Sequence, residues 1–146
     1  CTPEMFVRYA QIAALMPVMQ FSASPWRVLP EADFQKVKDA LALREKCLPE
    51  ILKAVECAKV TGEPIVRSME FVFPGQGMER VMDQFMVGED LLVAPVWKQG
   101  EVARSVRLPE GQWRCVGLGE TEGDVLNGGR DVILGENEGL VVLKRV

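Results

Sequence analysis

The fold turns on Asp83-Gln84-Phe85-Met86-Val87-Gly88-Glu89-Asp90-Leu91-Leu92-Val93-Ala94-Pro95-Val96. Residues 84–87 and 91–96 are apolar runs of strand length, and Gly88-Glu89-Asp90 between them carries turn chemistry. Outward from this pair the same grammar repeats. Residues 65–73, 102–108, 112–116, 131–134 and 140–145 read as strands, and Pro74-Gly75, Pro109-Glu110-Gly111 and Asn127-Gly128-Gly129 read as turns. Short strands separated by regular turns predict an antiparallel β-sandwich over residues 64–146.

Upstream of Gly62 the period is that of a helix. Thr2 is a good N-cap, Pro3 suits the first helical position and Glu4 favours the positive end of the dipole, so residues 3–15 read as a helix. Its apolar stripe is expected on Met5, Tyr9, Ile12 and Met16. Residues 15–21 form a short apolar run before the turn-prone Ser22-Ala23-Ser24-Pro25, and they read as a buried strand ending at Met19-Gln20-Phe21-Ser22. A second helical stretch begins after Pro30, with Phe34, Val37, Leu41, Leu48, Ile51, Leu52, Val55 and Ala58 as its apolar face. Pro49 predicts a kink or break near Cys47, because proline removes a backbone donor and clashes with the preceding turn. Gly62 is the expected C-cap.

Composition narrows the function. A chain of 146 residues holds one domain or two small ones, and 48% hydrophobic residues suffice for a sizeable core. A net charge of -4 without a basic run argues against nucleic acid or an anionic membrane as partner. No apolar stretch reaches the roughly 18 residues that span a bilayer. The chain opens on Cys1 rather than methionine, so the lack of a targeting segment carries no information about a longer protein. Cys1, Cys47, Cys57 and Cys115 show neither C-x-x-C pairing nor scaffold density, which reads as buried free thiols and leans towards a reducing, cytoplasmic compartment. With no histidine, a Ser-His-Asp triad, a Cys-His pair and a histidine zinc site are impossible within these residues. No metal or organic cofactor is implied.

Local wording carries the reading further. Residues 4–11 (EMFVRYAQ), residues 15–22 (LMPVMQFS), Pro25-Trp26, Leu43-Arg44 through Leu48-Pro49, and Thr61-Gly62-Glu63-Pro64-Ile65-Val66-Arg67 follow one another in order. The hairpin stretch quoted above and residues 104–113 (RSVRLPEGQW) complete the series. Together these blocks resemble the C-terminal part of glycoside hydrolase family 31, and the wording is closest to the subgroup around the myogenesis-regulating glycosidase. The resemblance implies an α+β fragment: the last α-β-α elements of a (β/α)8 barrel in residues 1–63, then a proximal β-sandwich in residues 64–146. A whole barrel needs at least about 200 residues, so the first part can only be its end.

By the same resemblance, the intact protein is a retaining α-glycosidase acting on a carbohydrate substrate. Its chemistry needs two carboxyls about 5–5.5 Å apart, one ionised and one protonated. In the family these stand on earlier barrel strands, so no catalytic residue is expected here. Glu4, Glu50, Glu63, Glu70, Asp83, Glu89 and Asp90 are expected in capping, turn or solvated roles, and Arg67 in a buried pairing role. Because barrel active sites lie at the C-terminal ends of strands, Gln20, Phe21 and Ser22, with Trp26 on the following loop, are the expected substrate-binding residues. Gln20 and Ser22 would bond sugar hydroxyls, while Phe21 or Trp26 would pack against a ring face, unless those aromatics are ordinary core. Many α-glucosidases of the family carry Arg, Asn and His at these three positions; the departure points away from glucose, with galactose as the hypothesis it raises. The rest of the barrel is an expected partner, and self-association is expected of the chain alone. The alternative is a non-catalytic carbohydrate- or protein-binding sandwich, with Phe71, Phe73, Phe85, Trp97 and Trp113 as candidate aromatics.

Overall fold

The computed structural model describes residues 1–117, 122–134 and 139–146, and the element order is α1 Pro3–Ala14, α2 Pro25–Val28, α3 Glu31–Thr61, β1 Val66–Ser68, α4 Met69–Val72, β2 Phe85–Val87, β3 Leu91–Pro95, β4 Arg104–Leu108, β5 Gln112–Cys115, β6 Val125–Asn127, β7 Arg130–Leu134 and β8 Leu140–Arg145. The hairpin expected from residues 84–96 is β2–β3, paired antiparallel with Val87 opposite Leu91. At its turn Gly88 has φ 61°, and a Cβ there would lie 3.1 Å from the Cβ of Ala54 on α3. Glycine therefore serves both the left-handed turn and the close approach of hairpin to helix.

Among the described residues all strand pairs are antiparallel. Six strands form one sheet in the order β1-β2-β3-β8-β5-β6, and β4 pairs with β7 in a second, two-stranded sheet. Strand alternation then sorts the side chains into two cores. Met86, Leu92, Ala94, Trp113, Val141 and Leu143 meet Val106 and Leu108 between the sheets. On the opposite face Val87, Leu91, Val93, Leu140 and Val142 pack against Ala40, Leu43, Cys47, Ile51 and Ala54 of α3 and against Ala14 and Leu15. The large sheet is thus covered on both faces, which is why every residue of β3 is buried.

The stretch around the β2–β3 hairpin is held by two buried polar groups. Gln84 donates its amide to the carbonyl of Arg107 at 2.7 Å and accepts from that residue's N–H at 3.0 Å, docking β2 on β4. Arg104 donates to the carbonyls of Asp83 at 2.5 Å and Pro95 at 2.8 Å, and pairs with the Asp83 carboxylate at 2.6 Å.

Several sequence expectations are corrected. Residues 15–21 are not a strand: among the described residues this segment has no ladder partner, Pro17 has no N–H, and the carbonyls of Ala14, Met16 and Pro17 accept from Arg44 instead. On α1 the buried face is Val7, Ala10, Gln11, Ala13 and Ala14, whereas Met5 and Tyr9 point outward. Small residues let α1 approach α3 closely, and such a face carries little hydrophobic signal. The α3 helix runs unbroken through Pro49, which lies on its exposed side, where water can take the carbonyl that proline leaves without a donor. Its buried face is Val37, Ala40, Leu43, Cys47, Ile51 and Ala54; Leu41, Leu48 and Leu52 stand exposed. The strand expected over 65–73 stops at Ser68, whose hydroxyl caps α4 by accepting from the N–H of Phe71. Strand β6 and helix α2 lie where no element was expected. The caps of α1 and α3 are as read: Thr2 accepts from the N–H of Met5 at 3.2 Å, and Gly62 has φ 75°.

Candidate functional site

The segment between α1 and α3 carries all four expected substrate-binding residues. It leaves α1 at Leu15, which is fully buried, and runs without regular structure to the N-cap of α2 at Ser24. Its start is held by Arg44, whose Nη1 donates to the carbonyls of Ala14 at 2.7 Å and Met16 at 2.6 Å and whose Nη2 donates to that of Pro17 at 3.1 Å. The Ala14 carbonyl belongs to the last turn of α1, where the dipole favours a cation. Further on, Phe21 stacks on Phe6 of α1 with ring centroids 6.0 Å apart and planes 3° off parallel.

The four residues divide accordingly. Gln20 and Ser22 are exposed, and neither makes a side-chain hydrogen bond among the described residues. Phe21 is half-buried against Phe6 and packs with Val7, Ala10 and Val37. Trp26 is 66% exposed on the short α2. Sequence reasoning named Arg44 only as part of a motif and missed Phe6; a lone arginine beside the buried face of a long helix was the available signal for the first.

The carboxylates weighed as acids or bases are mostly engaged. Arg67, whose side chain is 3% exposed, pairs with Glu63 at 3.0 Å and Glu89 at 3.6 Å and donates to the Pro64 carbonyl at 2.8 Å. Glu50 pairs with Lys144, and Asp90 with Lys53 at 2.5 Å, a hydrogen bond that holds the Lys53 ammonium above its ordinary range. Glu4 accepts from the N–H of Gly100 at 2.9 Å. Burial, with Glu50 nearby, pushes the Cys47 thiol up to about 11, so it stays protonated and unreactive near neutrality. Among the described residues no cluster of three histidine, cysteine or acidic side chains could hold a metal, and no helix is long and apolar enough to cross a membrane.

A cavity of about 580 Å³ opens between α1, α3 and the sandwich loops, walled by Glu4, Arg8, Gln11, Lys36 and Val102 among others. None of the four expected residues lines it. Of the candidate sandwich aromatics, Phe73 and Trp113 are buried and meet edge to face at 5.8 Å, and Phe85 is half-buried against the helix-side core. Phe71 and Trp97 are exposed, the first beside Arg67 on α4 and the second just beyond β3.

This α+β architecture, with antiparallel sheets and a helical pair closing one face, is that of the C-terminal region of carbohydrate-active enzymes to which the chain is similar. Residues 62–133 match the glycosyl hydrolase family 31 C-terminal domain. The mouse myogenesis-regulating glycosidase is 39% identical over 112 residues, covering 76% of this chain and 16% of that protein. A cycloalternan-forming enzyme from Listeria monocytogenes, solved with a pentasaccharide substrate, superposes with a TM-score of 0.88 at 28% identity over 99% of this chain and 15% of its own. An α-xylosidase from a soil metagenome, complexed with xylose, gives a TM-score of 0.83 at 29% identity over 98% of this chain and 25% of its own. The chain belongs to glycoside hydrolase family 31. It spans 10% to 18% of the length of the curated relatives it matches.

Proposed function

We propose that the chain is the C-terminal part of a retaining α-glycosidase that hydrolyses O-glycosidic bonds, supplying part of the sugar-binding rim and the supporting sandwich but not the catalytic carboxylates. Residues 1–63 are the end of the catalytic barrel in this reading, and residues 64–146 the sandwich that buttresses it. The observation that carries it is the outward surface of the helices. Met5 and Tyr9 on α1 and Leu41, Leu48 and Leu52 on α3 are apolar and exposed, as expected where further barrel elements pack. Gln20 and Ser22, exposed and unbonded beside that surface in sequence, are free to meet sugar hydroxyls, and Trp26 offers a ring face. Phe21, stacked on Phe6, shapes the rim from beneath.

The carboxyl pair that retention requires is supplied by the rest of the protein. Here Glu63 and Glu89 are tied to Arg67, Asp83 to Arg104, Glu50 to Lys144 and Asp90 to Lys53, which suits structural roles. The sugar is a galactoside rather than a glucoside in this proposal, on the strength of Gln20, Phe21 and Ser22 alone. A panel of chromogenic α-glycosides, given to the full-length protein and to this chain side by side, tests it. Hydrolysis by the full-length protein alone, fastest on the galactoside, is expected. Turnover by the chain alone would overturn the assignment of roles, and a preference for the glucoside would overturn the sugar.

A further inference from the structure

We propose that the cavity between α1, α3 and the sandwich loops is a non-catalytic binding site for a neutral mono- or disaccharide. It is separate from the rim, since Gln20, Phe21, Ser22 and Trp26 do not line it. Its described walls come from three elements of this chain. Glu4, Val7, Arg8 and Gln11 line it from α1 at i, i+3, i+4 and i+7, so they share one side of that helix. Asp33, Lys36, Ala40 and Leu43 do the same on α3. Met5 and Tyr9 on α1, and Leu41, Leu48 and Leu52 on α3, stand on other sides of the two helices. The cavity therefore leaves the outer apolar stripes to the rest of the barrel. The third wall is the loop between β3 and β4, which is bonded to α1 at two points. The Gly100 N–H donates to Glu4 at 2.9 Å, and the Glu101 carbonyl accepts from Arg8 at 2.7 Å. Val102 of that loop also lines the cavity.

A volume of about 580 Å³ lies within the range of about 300–1,000 Å³ typical of small-molecule sites. The chemistry of the walls selects the ligand. Three carboxylates, Glu4, Asp33 and Asp39, stand with two cations, Arg8 and Lys36, so the described walls favour neither an anion nor a cation strongly. A sugar hydroxyl both donates and accepts, and this mixture of acceptors and donors suits it. Each carboxylate keeps acceptor capacity beyond its bond to Gly100, Lys36 or Gln35. Val7, Ala40, Leu43 and Leu140 supply an apolar floor for the C–H face of a ring. Arg8 supplies the anchor. Its Nε is buried without a hydrogen-bond partner among the described residues, and a buried donor is costly to leave unpaired. Gly139 keeps that guanidinium in place, because a Cβ there would collide with its Nη1.

Hydrogen–deuterium exchange of the full-length protein carrying this chain tests the site, with galactose, glucose and lactose as probes and inorganic sulfate as the anionic contrast. An α-glycosidase consumes none of the three sugars, since the glycosidic bond of lactose is β. Exchange in residues 4–11 and 97–103 should slow as sugar is titrated, by about tenfold once it reaches about ten times Kd, because bound ligand suppresses local opening by that factor. Val102→Trp, which puts an indole into the space, should abolish the protection without moving the unfolding midpoint. Arg8→Lys removes the Nε donor but keeps the charge, and it should weaken sugar binding about tenfold; it decides the matter if Val102→Trp does not fold. No protection by any of the three sugars, protection by sulfate alone, or protection that survives both variants unchanged would each overturn the inference. Turnover is not read, so the two proposals fail separately. If no α-glycoside is hydrolysed but sugars protect these residues, the proposed function falls and this site stands; hydrolysis without protection gives the reverse.

Discussion

The large sheet and the helices that back it meet the same burial requirement in different ways. β3 hides every residue from Leu91 to Pro95, with Leu92 and Ala94 turned to the second sheet and Leu91 and Val93 turned to α3. The α3 helix hides one stripe and leaves another apolar one outside, with Leu48 at 38% and Leu52 at 53% exposure. A sheet covered on two faces is thermodynamically complete, whereas a helix with two apolar stripes has satisfied only half of its pattern. The β region therefore holds the chain together, and the helical region is where further protein is expected.

The strongest way to break that comparison is to hollow out the sheet-to-sheet core. Trp113 is fully buried, donates its indole N–H to the Pro109 carbonyl at 3.0 Å and meets Phe73 edge to face. Trp113→Ala should destabilise the chain by about 4 kcal/mol, through lost transfer energy and the cavity left behind. Urea unfolding measures it. A loss under about 1 kcal/mol would mean that the β region is not the source of stability.

A smaller effect probes the seam between the two regions through pH. Cys47 lies on α3 facing the sheet, and its thiol is raised from 9.0 to about 11 by burial and by Glu50. Above pH 9 the unfolded chain loses this proton while the folded chain keeps it, so stability falls as pH rises from about 9 to about 11. Two pKa units correspond to about 2–3 kcal/mol. The difference in urea midpoint between the parent and Cys47→Ala, followed across that range, isolates the contribution. A constant difference would mean that the thiol is not sealed between helix and sheet.

Legibility in the sequence divided along the same line. Strands β2, β3, β5 and β8 stood out because short apolar runs were bounded by turn residues, and tertiary contacts only reinforced what the local pattern favoured. The helices were legible as helices, through Thr2 and Gly62, yet the face chosen on α1 was the wrong one, and that on α3 mixed the buried Val37 and Ile51 with the exposed Leu41, Leu48 and Leu52. Periodicity counts apolar residues and cannot say which of two stripes meets a partner within the same chain. On α1 the large Met5 and Tyr9 outweighed the small Ala10 and Ala14 that pack. The segment at 15–21 was misread for a related reason, since a strand exists only when a neighbour completes its ladder. Gln20, Phe21, Ser22 and Trp26 came from resemblance rather than from any local pattern. The bonds that Arg44 makes to the start of their segment span a sequence separation of nearly thirty residues that no spacing rule reaches.

The smallest expected change in stability sharpens the contrast most. Leu48→Glu combined with Leu52→Glu alters two exposed positions on the outer stripe of α3, where substitutions typically shift stability by within about 0.5 kcal/mol each. Both positions keep a good helix former, so propensity changes little. Removing the stripe should instead change association. The parent chain, with Met5, Tyr9, Leu41, Leu48 and Leu52 exposed, is expected to self-associate on dilution series followed by sedimentation, and the doubly substituted chain to remain monomeric. In the full-length protein the same pair should be strongly destabilising, because the charges would then be driven into a packed interface without partners. Equal tolerance in both settings would mean that the outer stripe faces solvent throughout, and the helical region would then be as complete by itself as the sheet it backs.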